Sequence, residues 1–310
     1  MSIQPFIREI GRGKDGAKAL NREQASELMG LILDGQVSDL QLGAFCLAMR
    51  IKGETEQEMS GFLDAAQARL TYFTAPDSAL PAIVIPSYNG ARRLPVLTPL
   101  LGLLLARQGF AVLIHGSTTE SKRVPSQDVL QELGIFKANS ASVLKQGELV
   151  FAPTNLISPA LQKLLDARRT IGLRNSGHSM VKLLQPVLPS LHNPGSKPFL
   201  ITSYTHPEYA ISMRKTLELT HGNAVLLRGC EGEAVADARR SPAYTVIKDG
   251  TVLHERDAEK GSILPTELFN AELNAKSIAN YTQKILDGLF PTPQPILDQI
   301  NLIQKACAGM

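Results

Sequence analysis

Two segments of the chain are strongly enriched in basic residues. The formal net charge of the whole chain is only +3 at pH 7. Residues 86–123 contain one acidic residue and five basic ones, namely Arg92, Arg93, Arg107, Lys122 and Arg123. Residues 160–182 have the same balance, with Lys163, Arg168, Arg169, Arg174 and Lys182. Basic side chains gathered on one surface attract phosphate groups. The distribution therefore indicates a phosphate-rich partner, with solvated helix faces as the simpler alternative.

Residues suited to metal binding or covalent catalysis do not form a recognisable pattern. The six histidines lack the spacing of metal ligands, and the three cysteines are widely separated. We therefore predict no metal site, no disulfide framework and no catalytic residue. The run Gly11 to Gly16 is similar to a phosphate loop, but it follows a helix and not a strand. It is interpreted as a basic turn in which Arg12 and Lys14 could reach a nucleic-acid backbone.

Composition narrows the class of protein. A chain of 310 residues is long enough for two domains, and 44% hydrophobic with 20% charged residues is typical of a globular protein. With 5% aromatic residues and no Trp, a base-stacking platform is not expected. The N-terminus is charged where a signal peptide is apolar, and the apolar stretch Leu94 to Ala106 is too short to span a bilayer. We expect a cytoplasmic protein without a membrane partner.

The first 72 residues have a helical pattern. Apolar residues recur near a period of 3.6 and predict helices over Arg22 to Leu33, Asp39 to Lys52 and Glu56 to Leu70. Asp39 and Thr55 are predicted N-caps, and Glu58 would complete a capping box with Thr55. These helices predict a small helical domain.

From Pro81 onward, short apolar runs alternate with helical segments. The predicted strands are Ala82 to Ile85, Ala111 to His115, Leu149 to Ala152, Phe199 to Thr202 and Ala224 to Leu227. Such alternation predicts a mainly parallel sheet, with a ligand crevice at the carboxyl ends of its strands. Asp249-Gly250 predicts a hairpin between Tyr244 to Lys248 and Thr251 to Glu255. Helices are predicted over Ala271 to Leu286 and Pro295 to Lys305.

Several motifs, in this order, resemble the anthranilate phosphoribosyltransferase family, which shares its fold with nucleoside phosphorylases. They are AMRIKGET (Ala48 to Thr55), IHG (Ile114 to Gly116), QDVLQELGI (Gln127 to Ile135) and GLRNSGHSMVKLLQP (Gly172 to Pro186). The resemblance implies a helical domain over residues 1–73, completed by two later helices, Ser158 to Arg169 and Asn175 to Leu184, within about 157–186. It also implies an α/β domain over residues 81–156 and 187–310, with a cleft between the two domains.

The resemblance further implies a homodimer that contacts through the helical domains. Apolar residues of the predicted N-terminal helices form stripes that a small domain would leave uncovered, and a symmetric contact would pair one patch on both subunits. These residues are Leu28, Leu31, Ile32, Leu42, Phe45 and Met49.

The substrate motifs of the family are altered in this chain. The family has a G-T-G-G-D loop for pyrophosphate, whereas the corresponding stretch, Pro86 to Arg93, contains a proline, a tyrosine and the single Gly90. The Lys and Asn of its K-H-G-N-R motif are replaced by Ile114 and Ser117. Its magnesium-binding Asp-Glu pair is replaced by Ala234 and Val235. The nearby Glu231 and Glu233 are interpreted as an exposed acidic turn.

The resemblance implies that the family's substrate cleft is lined by one set of positions in this chain. These positions are Ser87, Asn89, Gly90, His115, Gly116 and Arg174. Arg174 matches the arginine that meets the anthranilate carboxylate, with a structural salt bridge as the alternative role. Because the pyrophosphate and metal contacts are lost, no cofactor is expected. Magnesium and phosphoribosyl diphosphate belong only to an alternative, a phosphoribosyltransferase acting on an unknown substrate.

The loop PSYNGARR, the retained HG and the missing metal pair are similar to the branch of the family outside tryptophan synthesis. That resemblance implies a nucleic-acid-binding homodimer with a positively charged groove, which binds DNA or RNA through backbone phosphates. A dimer whose cleft holds a small anion is a third possibility. The predicted nucleic-acid-binding residues are Arg12, Lys14, Arg50, Lys52, Arg92, Arg93, Lys122, Arg123, Arg168 and Arg169.

Overall fold

A computed structural model describes residues 2–13, 15–117, 122–259 and 273–309 of the chain. It has a helical N-terminal domain and a larger α/β domain with a mainly parallel sheet, which confirms the predicted fold class. Lys14 and the first two residues of the helix predicted over Ala271 to Leu286 lie outside the described residues. Within these ranges, no helix is both long and apolar enough to cross a membrane.

The N-terminal helices are set by their capping residues. Thr55 and Glu58 form the predicted capping box, with each side chain accepting the other's backbone N–H. The prediction of Asp39 as an N-cap is wrong, because Ser38 caps the helix and Gln41 completes its capping box. The four helices are α1 (Gln4–Ile10), α2 (Arg22–Leu33), α3 (Asp39–Lys52) and α4 (Glu56–Gln67).

The predicted apolar stripes face the interior of the protein. Leu28, Phe45 and Met49 are fully buried, because α2 packs along α4 and α3 turns these side chains toward the core. Leu31 and Ile32 are also buried, and Leu42 packs against the same core. The expectation that a partner must cover these six residues is therefore wrong. The exposed apolar residues of α3 are Leu40, Leu47 and Ile51.

The central sheet runs in the order β4-β3-β2-β6-β7-β8-β9, and its first five strands are parallel. The last two strands form the predicted hairpin, in which Asp249 and Gly250 both have positive φ. A separate parallel pair joins β1 (Phe73–Thr74) to β5 (Val187–Leu188). The sheet strands are β2 (Ile83–Ser87), β3 (Val112–Gly116), β4 (Leu149–Pro153), β6 (Phe199–Tyr204), β7 (Ala224–Arg228), β8 (Tyr244–Lys248) and β9 (Thr251–Arg256).

Helices cover both faces of the sheet. They are α5 (Thr98–Arg107), α6 (Ser126–Glu132), α7 (Thr154–Ile157), α8 (Pro159–Ile171), α9 (Gly177–Met180), α10 (Pro207–Leu219), α11 (Ala275–Leu286) and α12 (Gln294–Ala308). The single helix predicted over Asn175 to Leu184 is wrong, since α9 is followed by a short 3-10 turn, Val181–Leu183. The helix ends there because Leu184 is extended and Gln185, which directly precedes Pro186, is disfavoured from helical conformation.

Alternation along the strands divides the core into two layers. Val84 of β2 packs in the layer shared with the N-terminal helices, whereas Ile83 and Ile85 pack on the opposite face, which α5 and α12 cover. Because both faces are buried, the polar ends of β2 and β3 are fixed with respect to each other, and a site at this edge is positioned by rigid elements.

Candidate functional site

The loop that follows β2 is folded around the buried carboxylate of Glu233. The carboxylate Oε1 accepts the backbone N–H groups of Asn89 at 2.7 Å and Gly90 at 2.8 Å. Its Oε2 accepts the hydroxyls of Ser87 at 2.5 Å and Thr98 at 2.9 Å. Glu233 is only 1% exposed. The interpretation of this residue as part of an exposed acidic turn is therefore wrong, because its charge is enclosed by four donors of the loop and of α5.

Glu231 holds the next part of the same loop. Its carboxylate accepts the backbone N–H groups of Arg92 at 2.6 Å and Arg93 at 3.0 Å, with a longer bond from Leu94 at 3.3 Å. Its own carbonyl accepts the side-chain amide of Asn89. Glu231 is half-buried. The two glutamates thus direct the backbone of residues 89–94 inward, which leaves the arginine side chains pointing away from them.

Two glycines permit this close contact between the loop and the glutamate turn. Gly90 has a φ of +67°, and a Cβ there would lie 2.6 Å from the carbonyl oxygen of Val124. Gly232 has a φ of +91° and lies directly against the Asn89 amide. A side chain at either position would combine backbone strain with a steric clash. The geometry therefore requires glycine at both sides of the contact.

Tyr88 and His115 are buried beneath the loop. The Tyr88 hydroxyl lies 2.9 Å from His115 Nδ1, and it accepts the Thr154 hydroxyl at 3.1 Å. Burial lowers the pKa of His115 to about 3, so the ring is neutral at physiological pH. His115, predicted to line the substrate cleft, instead supports the loop from below, and Gly116 packs against the carbonyl of Ser87.

Lys182 lies beside the glutamate turn. Its Nζ donates to the carbonyl oxygens of Ser203 at 3.2 Å and Gly232 at 3.1 Å. Burial lowers the pKa of Lys182 to about 8, while the negative charge of Glu233 opposes this shift and the positive charge of Arg174 adds to it. The ammonium group therefore stabilises the tip of the turn from the side opposite the loop.

A polar pocket of about 370 Å³ opens between α3, α9, α10 and the end of β6. Arg174, which matches the substrate arginine in the resemblance, lines it together with Arg50, Glu54 and Lys182. Burial raises the pKa of the Glu54 carboxyl. Among the six predicted cleft positions, only Arg174 lines this pocket. Ser87, Asn89 and Gly90 instead bond Glu233, as described above.

Four of the five basic residues of the first segment lie at the carboxyl edge of the sheet, whereas Arg107 ends α5 and bonds the Leu286 carbonyl. Backbone bonds between Ala91 and Val124, at 2.7 and 3.0 Å, join the loop after β2 to the segment before α6. They place Arg92 and Arg93 beside Lys122, and all three side chains are exposed. No acidic side chain pairs with these three within the described residues. Arg123 is half-buried, and its guanidinium donates to the Gly90 carbonyl at 3.3 Å.

The other predicted nucleic-acid-binding residues are placed differently. Lys52 is not available for a ligand, because its ammonium lies 2.6 Å from buried Glu58 and its side chain is only 8% exposed. Arg12 is exposed and pairs with Glu9 at 3.0 Å. Arg168 and Arg169 lie in the last turn of α8, where positive charges interact favourably with the helix dipole, and Arg169 lies 3.4 Å from Asp166. Arg50 is exposed at the rim of the pocket.

The residues present do not fit a magnesium ion bound to pyrophosphate. Ala234 and Val235, at the positions of the family's carboxylate pair, are buried and apolar. The neighbouring carboxylates of Glu231 and Glu233 face N–H and hydroxyl donors, and such donors repel a cation. The turn therefore has the chemistry of an anion held by donors and not of a metal site.

Sequence reasoning gave no role in this site to the three residues that organise it, Tyr88, Lys182 and Glu233. Each lies in a short motif that gives no local sign of burial. One usable signal was the closely spaced pair Glu231 and Glu233, since the backbone N–H groups of a buried loop need acceptors and two carboxylates can supply them. The Asn89 to Glu233 bond nevertheless joins residues 144 positions apart, so only the tertiary fold reveals it.

Comparison with known proteins defines the class. Residues 4–69 match the glycosyl transferase family, helical bundle domain. The crystal structure of anthranilate phosphoribosyltransferase (TrpD) from Thermus thermophilus superposes with a TM-score of 0.70 at 20% identity, covering 97% of this chain and 87% of that chain. The Saccharomyces cerevisiae enzyme in complex with PRPP and Mg gives a TM-score of 0.70 at 14% identity, covering 99% and 89%. The protein thus has an anthranilate phosphoribosyltransferase-like fold.

Sequence relatives narrow the class to a family. The chain is 36% identical to the Escherichia coli (strain K12) protein YbiB, over 99% of this chain and 93% of YbiB. It is also 25% identical to an anthranilate phosphoribosyltransferase of Methylobacterium sp. (strain 4-46), over 100% of this chain and 91% of that protein. The chain belongs to the same protein family as YbiB.

Proposed function

We propose that this protein is a sequence-nonspecific nucleic-acid-binding homodimer on a phosphoribosyltransferase-like scaffold. The observation that supports this most directly is the cluster of exposed cations Arg92, Arg93 and Lys122 at the carboxyl edge of the sheet, which pair with no acidic side chain of the described residues. Positive side chains on a rigid edge attract the phosphates of DNA or RNA and release their counterions. Backbone phosphates carry no base information, so the binding is indifferent to sequence.

The loop backbone supports this interpretation. Because Glu231 accepts the N–H groups of Arg92 and Arg93, the two residues are held in a fixed bend while their side chains extend into solvent. A fixed backbone lowers the entropy lost when the guanidinium groups meet phosphates. The cations are thus presented as a preorganised set, and Arg123 reinforces them by bonding the Gly90 carbonyl.

Fluorescence anisotropy with labelled oligonucleotides tests the proposal. Single-stranded DNA, duplex DNA and RNA of several sequences are titrated at 50 and 200 mM salt. We expect binding to all sequences of one strand type with similar affinity. The logarithm of the binding constant should fall against log salt by about 0.9 for each duplex phosphate neutralised. Binding of a single sequence, or binding insensitive to salt, would contradict the proposal.

The homodimer is proposed to form through the exposed face of α3. Leu40, Leu47 and Ile51 lie on this face, and an apolar groove of about 260 Å³ runs between α3 and α1. Spacings of seven and four residues place the three side chains on one side of the helix. Sedimentation should show a dimer at micromolar concentration, and the double change Leu47→Asp and Ile51→Asp should yield monomers. A wild-type protein that sediments only as a monomer would refute this contact.

The alternative is phosphoribosyl transfer to an unknown substrate, using magnesium and phosphoribosyl diphosphate. The anthranilate phosphoribosyltransferase relatives and the position of Arg174 in the pocket favour it. We expect no such turnover, because loss of one preorganised transition-state contact costs roughly 10²–10³ in rate and several are missing here. The assay follows magnesium-dependent pyrophosphate release from phosphoribosyl diphosphate with anthranilate and related amines. Turnover that Arg174→Ala abolishes would establish the alternative.

A further inference from the structure

Lys182 joins the glutamate turn to the polar pocket of about 370 Å³. Its side chain lines the pocket, while its Nζ donates to the carbonyl oxygens of Ser203 at 3.2 Å and Gly232 at 3.1 Å. Among the described residues, no carboxylate forms an ion pair with this nitrogen. The amine is therefore positioned by main-chain carbonyl groups and not by a counter-ion.

The two hydrogen bonds leave one position on this nitrogen open. A lysine ammonium has three N–H groups, and the neutral amine keeps two of them and gains a lone pair. When both N–H groups donate to Ser203 and Gly232, the lone pair points away from these carbonyl oxygens. Because the side chain of Lys182 lines the pocket, a small molecule bound there can reach the lone pair.

The surroundings of Lys182 favour the neutral amine. Burial lowers the pKa of Lys182 to about 8, with the charge of Glu233 opposing the shift and that of Arg174 adding to it. About a tenth of such an amine is neutral at pH 7, compared with less than about a thousandth of a surface lysine. Burial and a neighbouring cation are the two conditions that make a lysine a nucleophile for carbonyl groups.

The pocket determines the size and charge of a molecule that can reach the amine. Its volume of about 370 Å³ suits a small molecule. The charged and titratable side chains that line it besides Lys182 are those of Arg50, Glu54, Arg174, His178, His206 and Glu208. Burial raises the pKa of the Glu54 carboxyl, which favours its neutral form. The remaining balance is positive, so the pocket favours a small molecule with an anionic group.

We propose that Lys182 is a reactive amine that forms an imine with a small carbonyl compound bearing a carboxylate, such as a 2-oxo acid. The inference goes beyond nucleic-acid binding and does not depend on it. It also requires neither magnesium nor phosphoribosyl diphosphate. The carboxylate of the ligand would meet the guanidinium groups of Arg50 and Arg174, which line the same pocket.

Imine formation at Lys182 needs no oxidant, reductant or other co-reactant. The lone pair of Nζ adds to the carbonyl carbon, so a C–N bond forms and the π electrons of the C=O bond move to oxygen. A proton passes from nitrogen to this oxygen through water and gives a carbinolamine. Departure of the hydroxyl with the second nitrogen proton releases one water and leaves a C=N bond. Proton uptake by the imine restores one N–H, which can donate to the carbonyl oxygen of Ser203 or Gly232.

Reductive trapping on the full wild-type chain tests the proposal. Glyoxylate, the simplest 2-oxo acid, and acetaldehyde, a neutral aldehyde, are added separately with cyanoborohydride at pH 7. Peptide mass spectrometry then follows the rate of modification at each lysine. Lys145 and Lys305 are exposed and serve as reference lysines. Lys182→Met confirms the assignment of the modified peptide.

Two arginine variants test the pocket itself. Arg174→Gln removes a cation that lines the pocket and lowers the pKa of Lys182. Arg228→Gln is the matched control, because Arg228 is an exposed arginine that does not line this pocket. Circular dichroism checks that both variants are folded.

We expect glyoxylate to modify Lys182 at least about tenfold faster than either reference lysine, because a larger fraction of this amine is neutral. Relative to the same references, acetaldehyde should show a smaller preference for Lys182, since it has no carboxylate for the arginines. Arg174→Gln should slow the modification of Lys182 by glyoxylate several-fold, whereas Arg228→Gln should leave it unchanged.

The wild-type measurement is decisive even if a variant fails to fold. Modification of Lys182 by glyoxylate at the rate of the reference lysines or more slowly would overturn the proposal. An equal preference for Lys182 with both probes would contradict the anionic class of the ligand.

Discussion

The two basic segments carry equal charge but differ in how the fold uses it. In the first segment, Arg92, Arg93 and Lys122 are exposed around one loop, and a bridge of backbone bonds brings them together. In the second, Lys182 and Arg174 both line the pocket, and the Lys182 ammonium bonds the Gly232 carbonyl of the glutamate turn. Equal numbers of cations along the sequence therefore produce one outward surface and one dispersed set.

The difference follows from where each segment lies in the fold. Four of the five cations of the first segment follow the carboxyl ends of two neighbouring parallel strands, so these four converge at one edge of the sheet. The second follows α8 through a turn into α9, and a helix distributes its side chains around its axis. A charge excess in sequence thus becomes a binding surface only where the topology turns the side chains the same way.

The largest expected effect concerns the acids that hold the first segment in place. Glu233→Ala leaves the N–H groups of Asn89 and Gly90 and two hydroxyls buried without a partner, and we expect a loss of about 3–5 kcal/mol in the free energy of unfolding. Glu231→Ala removes a half-buried carboxylate that water can replace, and we expect a loss of about 1–2 kcal/mol. Urea denaturation measures both. Equal losses would show that burial of Glu233 has no special role.

The general architecture was readable from the sequence, and the internal contacts of the site were not. Alternating apolar runs predicted the parallel strands and Asp249-Gly250 predicted the hairpin, because these signals are local. The capping box of Thr55 was predicted for the same reason. Burial of Glu233 depends on donors at least 135 residues earlier in the chain, and burial of Lys52 depends on its pairing with Glu58 inside the helical domain. Composition carries no signal of either pairing.

The apolar stripes of the helical domain illustrate the same limit. Helical periodicity correctly identified the inward face of α3, including Phe45 and Met49, but it could not say what covers that face. The N-terminal helices and the sheet cover it within one subunit. Leu47 and Ile51 lie on the outer face of α3 and are exposed instead. The sequence pattern did not predict them as contact residues.

An intermediate effect concerns the enclosed cation of the second segment. Because burial lowers the pKa of Lys182 to about 8, we expect its methylated amine to titrate near pH 8 by NMR, whereas surface lysines titrate near 10.4. The resonance is assigned by its loss in Lys182→Met. Glu233→Gln should lower this pKa further, since the Glu233 charge favours the protonated form. If Lys182 instead titrates at the same pH as the surface lysines, it is exposed like the cations of the first segment, which would contradict its burial.

The same shift makes stability depend on pH. Between pH 8 and 10.5 the unfolded chain keeps the proton of this lysine while the folded protein has released it. Unfolding then takes up a proton, so the contribution of Lys182 to stability rises with pH across this window. Relative to Lys182→Met, wild type should gain at most about 1.4 kcal/mol per pH unit. A constant or falling difference between the two proteins would contradict the enclosed position.

The smallest expected effect concerns Tyr88, which lies beneath the loop that carries the arginines of the first segment. Tyr88→Phe removes the hydroxyl that joins His115 to Thr154, and we expect a loss of about 1 kcal/mol in the free energy of unfolding. Tyr204→Phe is the matched control, since Tyr204 is half-buried and its hydroxyl has no recorded partner within the described residues. Oligonucleotide affinity should be unchanged in both variants. A large loss of oligonucleotide affinity in Tyr88→Phe, but not in Tyr204→Phe, would contradict a purely structural role of the Tyr88 hydroxyl.

The most direct test of the account is the charge reversal of the first segment. The double variant Arg92→Glu and Arg93→Glu is compared with Lys248→Glu and Lys305→Glu, an equal charge change outside the first segment. Lys248 ends β8 beside the start of β7, and Lys305 lies in the last turn of α12. At 50 mM salt, anisotropy should show that the arginine variant binds an oligonucleotide at least about tenfold more weakly than wild type, whereas the lysine variant binds nearly as tightly as wild type. The difference between the arginine variant and wild type should become smaller at 200 mM salt. Equal affinities for both variants and wild type would contradict the assignment of this edge as the nucleic-acid interface.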